Sequence, residues 1–265
     1  MLLLPRARNA ASSKVVYFLP LMKVTVILPA AGLGTRMAPA GKGTPSKQFF
    51  ELNGTPILIH TLRVFARNKQ VTHIVVALRK NEMEQFTHRL EQEKIAAKVT
   101  LVEGGEHRQD SVANALASLQ SAPDDVVLVH DAVRPFVDDE IIAAVIHEVE
   151  KHGAAISGLP AVDTIKQVER AAEGAIITST IPRERVVQAQ TPQGFRYELI
   201  KRAFDSAIAD GFAGTDEASL VERLGESVWV VMGSARNIKI TTPADMELAE
   251  FLLGQAERTT KNLAG

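Results

Sequence analysis

The sequence predicts an α/β protein whose mostly parallel, doubly wound sheet is covered by helices on both faces. Three observations carry this. Short apolar runs of strand length alternate with segments of helical apolar spacing along most of the chain. The first run, Val24 to Leu28, ends in Pro29-Ala30-Ala31-Gly32, the pattern of a buried strand opening into a glycine-containing loop. With 265 residues, 46% of them hydrophobic and 23% charged, the chain can bury one full core and has a globular composition.

Residues 1–22 carry Arg6, Arg8 and Lys14 but no acidic residue, and Met22 opens directly onto the first strand. This segment reads as a disordered extension or an upstream start, because its apolar run from Val15 to Leu19 is short for a signal peptide. One domain is expected over 23–256, followed by a short tail over 257–265. After the first strand, Ile57, Leu58, Leu62 and Phe65 fall at helical spacing within Pro56 to Arg67, and His73 to Ala77 reads as a second strand. The alternation continues with a charged helix over Glu82 to Lys94 and a strand over Val99 to Val102. A helix over Asp110 to Leu119, a strand over Asp125 to Val129, a helix over Asp139 to Lys151 and a strand over Ala154 to Ser157 follow.

The pattern then changes. Asp163 to Val168 and Ala175 to Thr180 read as two short strands around an acidic turn containing Gly174, a β-hairpin arm over about 160–187. A two-stranded ribbon is marginal alone in water, so this one needs a surface to pack on, and a partner subunit is the natural one. Helices over Tyr197 to Ala209 and Asp216 to Leu224, a strand over Val228 to Met232 and a helix over Pro243 to Leu253 complete the reading.

A formal charge of −1 and the lack of any basic block exclude the electrostatic footprint of a duplex nucleic-acid binder. The chain has no cysteine, so disulfides, zinc–thiolate centres and thiol catalysis are excluded. No apolar run approaches the length of a membrane span, and the cytoplasm is the expected location.

Small residues in Pro29-Ala-Ala-Gly-Leu-Gly-Thr-Arg36-Met37 let backbone N–H groups approach phosphate oxygens, although the same spacing also makes an ordinary tight turn. Arg36, and Lys47 in Pro45-Ser46-Lys47-Gln48, flank a Gly/Pro-rich stretch and can converge on one triphosphate, the arrangement that phosphoryl or nucleotidyl transfer requires. The stretch Ala38 to Thr44 has the composition of a lid. Asp131, in His130-Asp131-Ala132-Val133-Arg134-Pro135 after a strand, is placed for a magnesium ion or as a partner for Arg134. Gly105, Glu106, Arg108 and Ser111 join a strand to a helix start, which suits either base recognition or plain capping. A dinucleotide-dependent dehydrogenase would need a third glycine, and an acidic residue where Leu78-Arg79-Lys80 stands.

Eight motifs in one order resemble the 2-C-methyl-D-erythritol 4-phosphate cytidylyltransferases from about Val24 to Phe251. Besides the glycine loop and Pro-Ser-Lys-Gln they are Gly-Gly-Glu-His-Arg-Gln-Asp-Ser-Val, Val-His-Asp-Ala-Val-Arg-Pro, Val-Asp-Thr-Ile-Lys, Gln-Thr-Pro-Gln, Thr-Asp-Glu-Ala and Asn-Ile-Lys-Ile-Thr. The resemblance implies a Rossmann-like nucleotidyltransferase fold, CTP and a small polyol phosphate as substrates, a magnesium cofactor, and a homodimer joined through the β arm. It implies catalytic roles for Arg36, Lys47, Arg183 and Lys239, and CTP contacts from Ala30, Ala31, Gly32, Leu33, Gly34, Thr35, Gly105, Glu106, Arg108 and Ser111. The polyol phosphate would meet Asp131, Arg134, Thr164, Arg183, Thr191, Thr215 and Lys239, with Asp131 also holding the metal and Thr164 and Arg183 reaching the neighbour's site. Ribitol 5-phosphate cytidylyltransferases share the glycine loop, Asp131-Ala-Val-Arg134 and Gln-Thr-Pro-Gln, so the acceptor stays open at this level. One departure is Arg236, where relatives often have an acidic residue before Asn-Ile-Lys.

Overall fold

The computed structural model describes residues 22–32, 46–93, 95 and 98–263. Strand β1 (Val24–Pro29) is followed by a short antiparallel pair, β2 (Glu51–Leu52) and β3 (Thr55–Pro56), and by helix α1 (Ile57–Arg67). Then come β4 (Val71–Leu78), α2 (Lys80–Glu91), β5 (Lys98–Glu103), α3 (Arg108–Ala117), β6 (Val126–Val129), α4 (Asp139–His152) and β7 (Ala154–Pro160). A ribbon of β8 (Ile165–Ala171) and β9 (Gly174–Ile181) leads into β10 (Val187–Arg196), α5 (Tyr197–Ala209), α6 (Glu217–Arg223), β11 (Trp229–Met232) and α7 (Pro243–Leu263).

Seven strands form the main sheet in the order β11-β7-β10-β6-β1-β4-β5. All run parallel except β10, which lies antiparallel between β6 and β7. Successive residues of the central strands point to opposite faces, so both faces must be covered. Val26, Leu28, Ile74 and Val76 pack against Leu58, Leu62 and Phe65 of α1 and against Ile142, Val145 and Val149 of α4. Ile27, Val75, Val127 and Val129 pack on the other face against Val112 and Leu116 of α3 and Ile200 and Phe204 of α5. Two-sided burial explains why these strands read as unbroken apolar runs. Helix α4 starts where the Asp138 carboxylate accepts from the Ile141 N–H at 2.8 Å, a side-chain cap on an otherwise unpaired donor.

Strand β10 is not predicted by the sequence. It contains Pro192 and Gly194 among glutamines, residues that normally mark loops, and its pairing with β7 shifts register between Ala189 and Gln193. The sheet tolerates them for identifiable reasons. The register shift accommodates Pro192, which follows a cis peptide bond, and a Cβ on Gly194 would stand 2.7 Å from Val145 Cγ1 of α4. The β2–β3 pair was also unforeseen, and α7 extends ten residues beyond the expected Leu253.

The β8–β9 ribbon projects from the main sheet as a separate two-stranded sheet. Val168, Ile176 and Ile177 on it are each at least half exposed. No helix among the described residues is long and apolar enough to cross a membrane.

Candidate active site

At the carboxyl ends of β1, β5 and β6 lies a cavity of about 130 Å³, where an open parallel sheet ordinarily takes its ligands. Its floor is the start of the glycine loop, Ala30, Ala31 and Gly32. Two side chains pin that start through its carbonyls: Gln48 Nε2 donates to Ala30 O, and Arg79 Nε donates to Ala31 O at 2.8 Å. Gln48 falls inside the Pro-Ser-Lys-Gln motif and Arg79 in none, and the sequence assigns neither a role because a carbonyl partner is not visible in it. Leu33, Gly34, Thr35 and Arg36, and the expected lid over Ala38 to Thr44, lie outside the described residues.

One wall is the turn from β5 into α3, bearing Gly105, Glu106, Arg108 and Ser111. It is tightly folded. Gly105 N–H donates to Ser111 Oγ at 3.1 Å, and the Ser111 hydroxyl donates to His107 O at 3.1 Å. His107 N–H donates to Asp110 Oδ2 at 3.0 Å, so the helix start is capped from within. A Cβ on Gly104 would come within 2.5 Å of Ala31 Cβ, so glycine is what lets this wall lie against the loop floor.

Three cations gather on Asp131. Asp131, buried at 6% exposure, accepts from Arg108 Nε through Oδ1 at 3.2 Å. Through Oδ2 it meets Arg134 Nε at 3.2 Å and Lys239 Nζ at 2.9 Å. Burial works to raise the Asp131 carboxyl, but Arg108, Lys239 and Arg134 outweigh it and hold the group well below the usual carboxylate range. Lys47 and Lys239 both line the cavity, so a second lysine comes to the same space from the Lys47–Phe49 turn. Arg134 is buried and does not line the cavity, with Nη1 donating to Asn237 O at 2.7 Å.

A directed hydrogen-bond chain fixes the backbone of Asp131. Its N–H donates to Thr191 Oγ1 at 3.0 Å. His130 Nε2 lies 3.0 Å from Arg134 O, which can only accept, so Nε2 carries the proton and Nδ1 accepts from the Thr191 hydroxyl at 3.1 Å. Full burial, reinforced by the nearby guanidinium groups, pushes His130 down to about 4 despite the Arg134 carbonyl and the Asp131 carboxylate. His130 is therefore a neutral strut. Thr191 sits at 5% exposure with its hydroxyl engaged in this chain.

Thr215 is exposed just before α6, its N–H donating to Ser219 Oγ at 3.1 Å. Thr164 and Arg183 stand exposed at the root of the β8–β9 ribbon, and neither lines the cavity of its own chain. Arg183 Nη1 donates to Val162 O at 2.8 Å. Arg236 is exposed in the turn before Asn237, and Lys239 reaches Asp131 with that arginine present.

The family model for 2-C-methyl-D-erythritol 4-phosphate cytidylyltransferase matches residues 24–255. The chain belongs to this family. A cytidylyltransferase of that name from Acidobacterium capsulatum is 61% identical over 236 residues, covering 88% of this chain and 98% of its own. One from Solibacter usitatus is 54% identical, covering 90% and 99%. Among solved structures, the 4-diphosphocytidyl-2C-methyl-D-erythritol synthase of Anaerococcus prevotii is similar at a TM-score of 0.75 and 31% identity over 88% of this chain and 96% of that one. The Thermus thermophilus cytidylyltransferase is similar at 0.69 and 35%, covering 87% and 98%. These structures share the α/β fold with its mostly parallel sheet, and the cytidylyltransferase family places the cavity in a nucleotidyltransferase.

Proposed function

We propose that this protein transfers the cytidylyl group of CTP to 2-C-methyl-D-erythritol 4-phosphate, releasing pyrophosphate. The observation that carries the reading is a preformed cationic cavity, with Lys47 and Lys239 beside a fixed, ionised Asp131 at the edge of a glycine-loop floor. In the reaction an oxygen of the acceptor's phosphate forms a bond to the α-phosphorus of CTP while the bond to the pyrophosphate oxygen breaks. An already ionised phosphate needs no general base, and the neutral, buried His130 supplies none. Orientation and positive charge carry the rate.

In this reading the loop floor and the wall at Gly105, Glu106 and Ser111 hold the nucleotide, and Leu33, Gly34 and Thr35 are further CTP contacts that the family resemblance implies. Arg36, Lys47 and Lys239 meet the charge that gathers on the α-phosphate and leaving oxygens. Asp131 orients Lys239, and Arg134 underpins Asp131. The family relatives named for the erythritol phosphate favour that acceptor over ribitol 5-phosphate.

A magnesium ion that arrives with the triphosphate would find the Asp131 carboxylate here, whose oxygens already meet Arg108, Arg134 and Lys239. Among the described residues no group of three or more His, Asp or Glu side chains is arranged to hold a metal. Asp131 remains an ionised hard-oxygen donor, and magnesium is commonly bound by one or two carboxylates with phosphates and water completing its shell. Asp131 would hold it, and when bound it would neutralise phosphate charge.

Homodimerisation through the β8–β9 ribbon completes the proposal, with Thr164 and Arg183 serving the neighbour's acceptor site. The exposed Val168, Ile176 and Ile177 support it, since a two-stranded ribbon with apolar residues needs a surface to cover it. Turnover of CTP and methylerythritol phosphate to pyrophosphate and the cytidine-diphosphate-linked alcohol tests the activity. Absence of turnover would refute it.

A further inference from the structure

We propose that Glu217 is a positioning residue for this transfer: it holds the Arg108 guanidinium, and Arg108 in turn fixes the Asp131 carboxylate. The inference rests on the functional reading above. Glu217 lies outside the cavity at 1% exposure. A charge buried so deeply is costly unless it is paired, and both of its carboxylate oxygens accept from Arg108 Nη1, at 2.7 and 3.0 Å. Arg108 Nε is turned the other way, to Asp131 Oδ1 at 3.2 Å. One guanidinium therefore spans two carboxylates, one in the site and one behind it.

The rear carboxylate is itself held rigidly. Glu217 is the first residue of α6, and the start of that helix is fastened to the sheet by Gln193 of β10. Gln193 Nε2 donates to Asp216 Oδ2 at 2.7 Å, and its Oε1 accepts from the Ala218 N–H at 3.0 Å. Gln193 pairs with Val129, two residues before Asp131. Helix, strand and site are thus referenced to one another through Gln193, Glu217 and Arg108. Burial pushes the Glu217 carboxyl upward against the pull of Arg108, so the buried pair is held at a desolvation cost.

Neutralising Glu217 would leave Arg108 with one carboxylate partner in place of two. The guanidinium would then be free to turn toward incoming phosphates, and Asp131 would lose its lateral restraint. Glu217 acts through Arg108, so the two side chains must be energetically coupled in the reaction.

A kinetic double-mutant cycle tests this. Wild type, Glu217→Gln, Arg108→Gln and the double variant are assayed with CTP and methylerythritol phosphate, and the thermal unfolding midpoint of each is measured. The expected result is a fall in kcat/KM of about tenfold or more for Glu217→Gln, with the double variant no slower than Arg108→Gln alone. Glu217→Asp, which keeps the charge on a shorter stem, is expected to recover part of the loss, and it replaces Glu217→Gln in the cycle if that variant does not fold. Wild-type kinetics for Glu217→Gln, or effects of the two substitutions that simply multiply, would overturn the proposal. A folded wild type that does not turn over these substrates would instead overturn the functional reading on which it rests.

Discussion

At the scale of single residues, Asp131 is where the charges of the site converge, and Lys239 is the lysine among them, beside Arg108 and Arg134. Replacing Lys239 by Met removes a charge aimed into the cavity while keeping the length of the stem. Steady-state kinetics are expected to show a loss of about 3 kcal/mol in kcat/KM, roughly a hundredfold, the scale of one lost electrostatic contact to a transition state. His130 gives a pH prediction of definite sign. Its ordinary 6.5 falls to about 4 in the folded protein, so between those values the unfolded chain binds a proton that the native state refuses. Stability is therefore expected to drop by about 3 kcal/mol as pH falls from about 6.5 to about 4. Urea unfolding at a series of pH values measures it, and His130→Gln, which retains an N–H for the Arg134 carbonyl, is expected to remove this contribution to the slope.

Residues were legible in the sequence where a motif carries them, whether just past a strand end, as for Arg108 and Asp131, or in a turn or loop, as for Lys47 and Lys239. Lys47, Arg108, Asp131 and Lys239 do meet around one cavity, although Lys239 lies far along the chain from the others. Glu217, Gln193 and Gln48 fall inside quoted motifs and Arg79 does not, yet the sequence assigns none of them a role, because each acts through a long-range hydrogen bond to a carbonyl, a backbone N–H or a charged group. Burial is the property that distinguishes Glu217 and Gln193, and a linear motif does not display it.

Elements were legible in proportion to how fully the sheet buries them. The parallel strands β1, β4 and β6 are covered on both faces and read as continuous apolar runs, and α5 matches its expected bounds, Tyr197 to Ala209. Strand β10 was hidden because Pro192 and Gly194 carry the local signal of a turn, while the register shift and the close approach of α4 satisfy them in three dimensions. The β5–α3 turn yields its own test. Gly104→Ala would drive a methyl group toward Ala31 Cβ and Ser111 Oγ, 2.5 and 3.0 Å away, so the wall must move off the loop floor. Calorimetric titration is expected to show weaker CTP binding together with a lower unfolding midpoint. Unchanged CTP affinity would mean that the wall does not shape the nucleotide site.

For the whole molecule, the ribbon is the feature that a single chain leaves unfinished. It was visible in the sequence as two short strands around a turn, yet Thr164 and Arg183 at its root do not reach the cavity of their own chain. The proposed dimer would account for both observations. Ile176→Glu with Ile177→Glu is expected to convert a dimer to monomers in sedimentation velocity and to lower turnover, whereas a wild type that sediments as a monomer would remove the basis for sharing residues between subunits. The cavity, the ribbon and the family all lead to one chemical claim, transfer of a cytidylyl group to an erythritol phosphate. It is tested most directly by incubating the purified protein with CTP, a magnesium salt and either 2-C-methyl-D-erythritol 4-phosphate or ribitol 5-phosphate, and following pyrophosphate release. Release with the erythritol phosphate, accompanied by its cytidine-diphosphate adduct, is the expected result. Release with ribitol phosphate alone, or with neither acceptor, would contradict it.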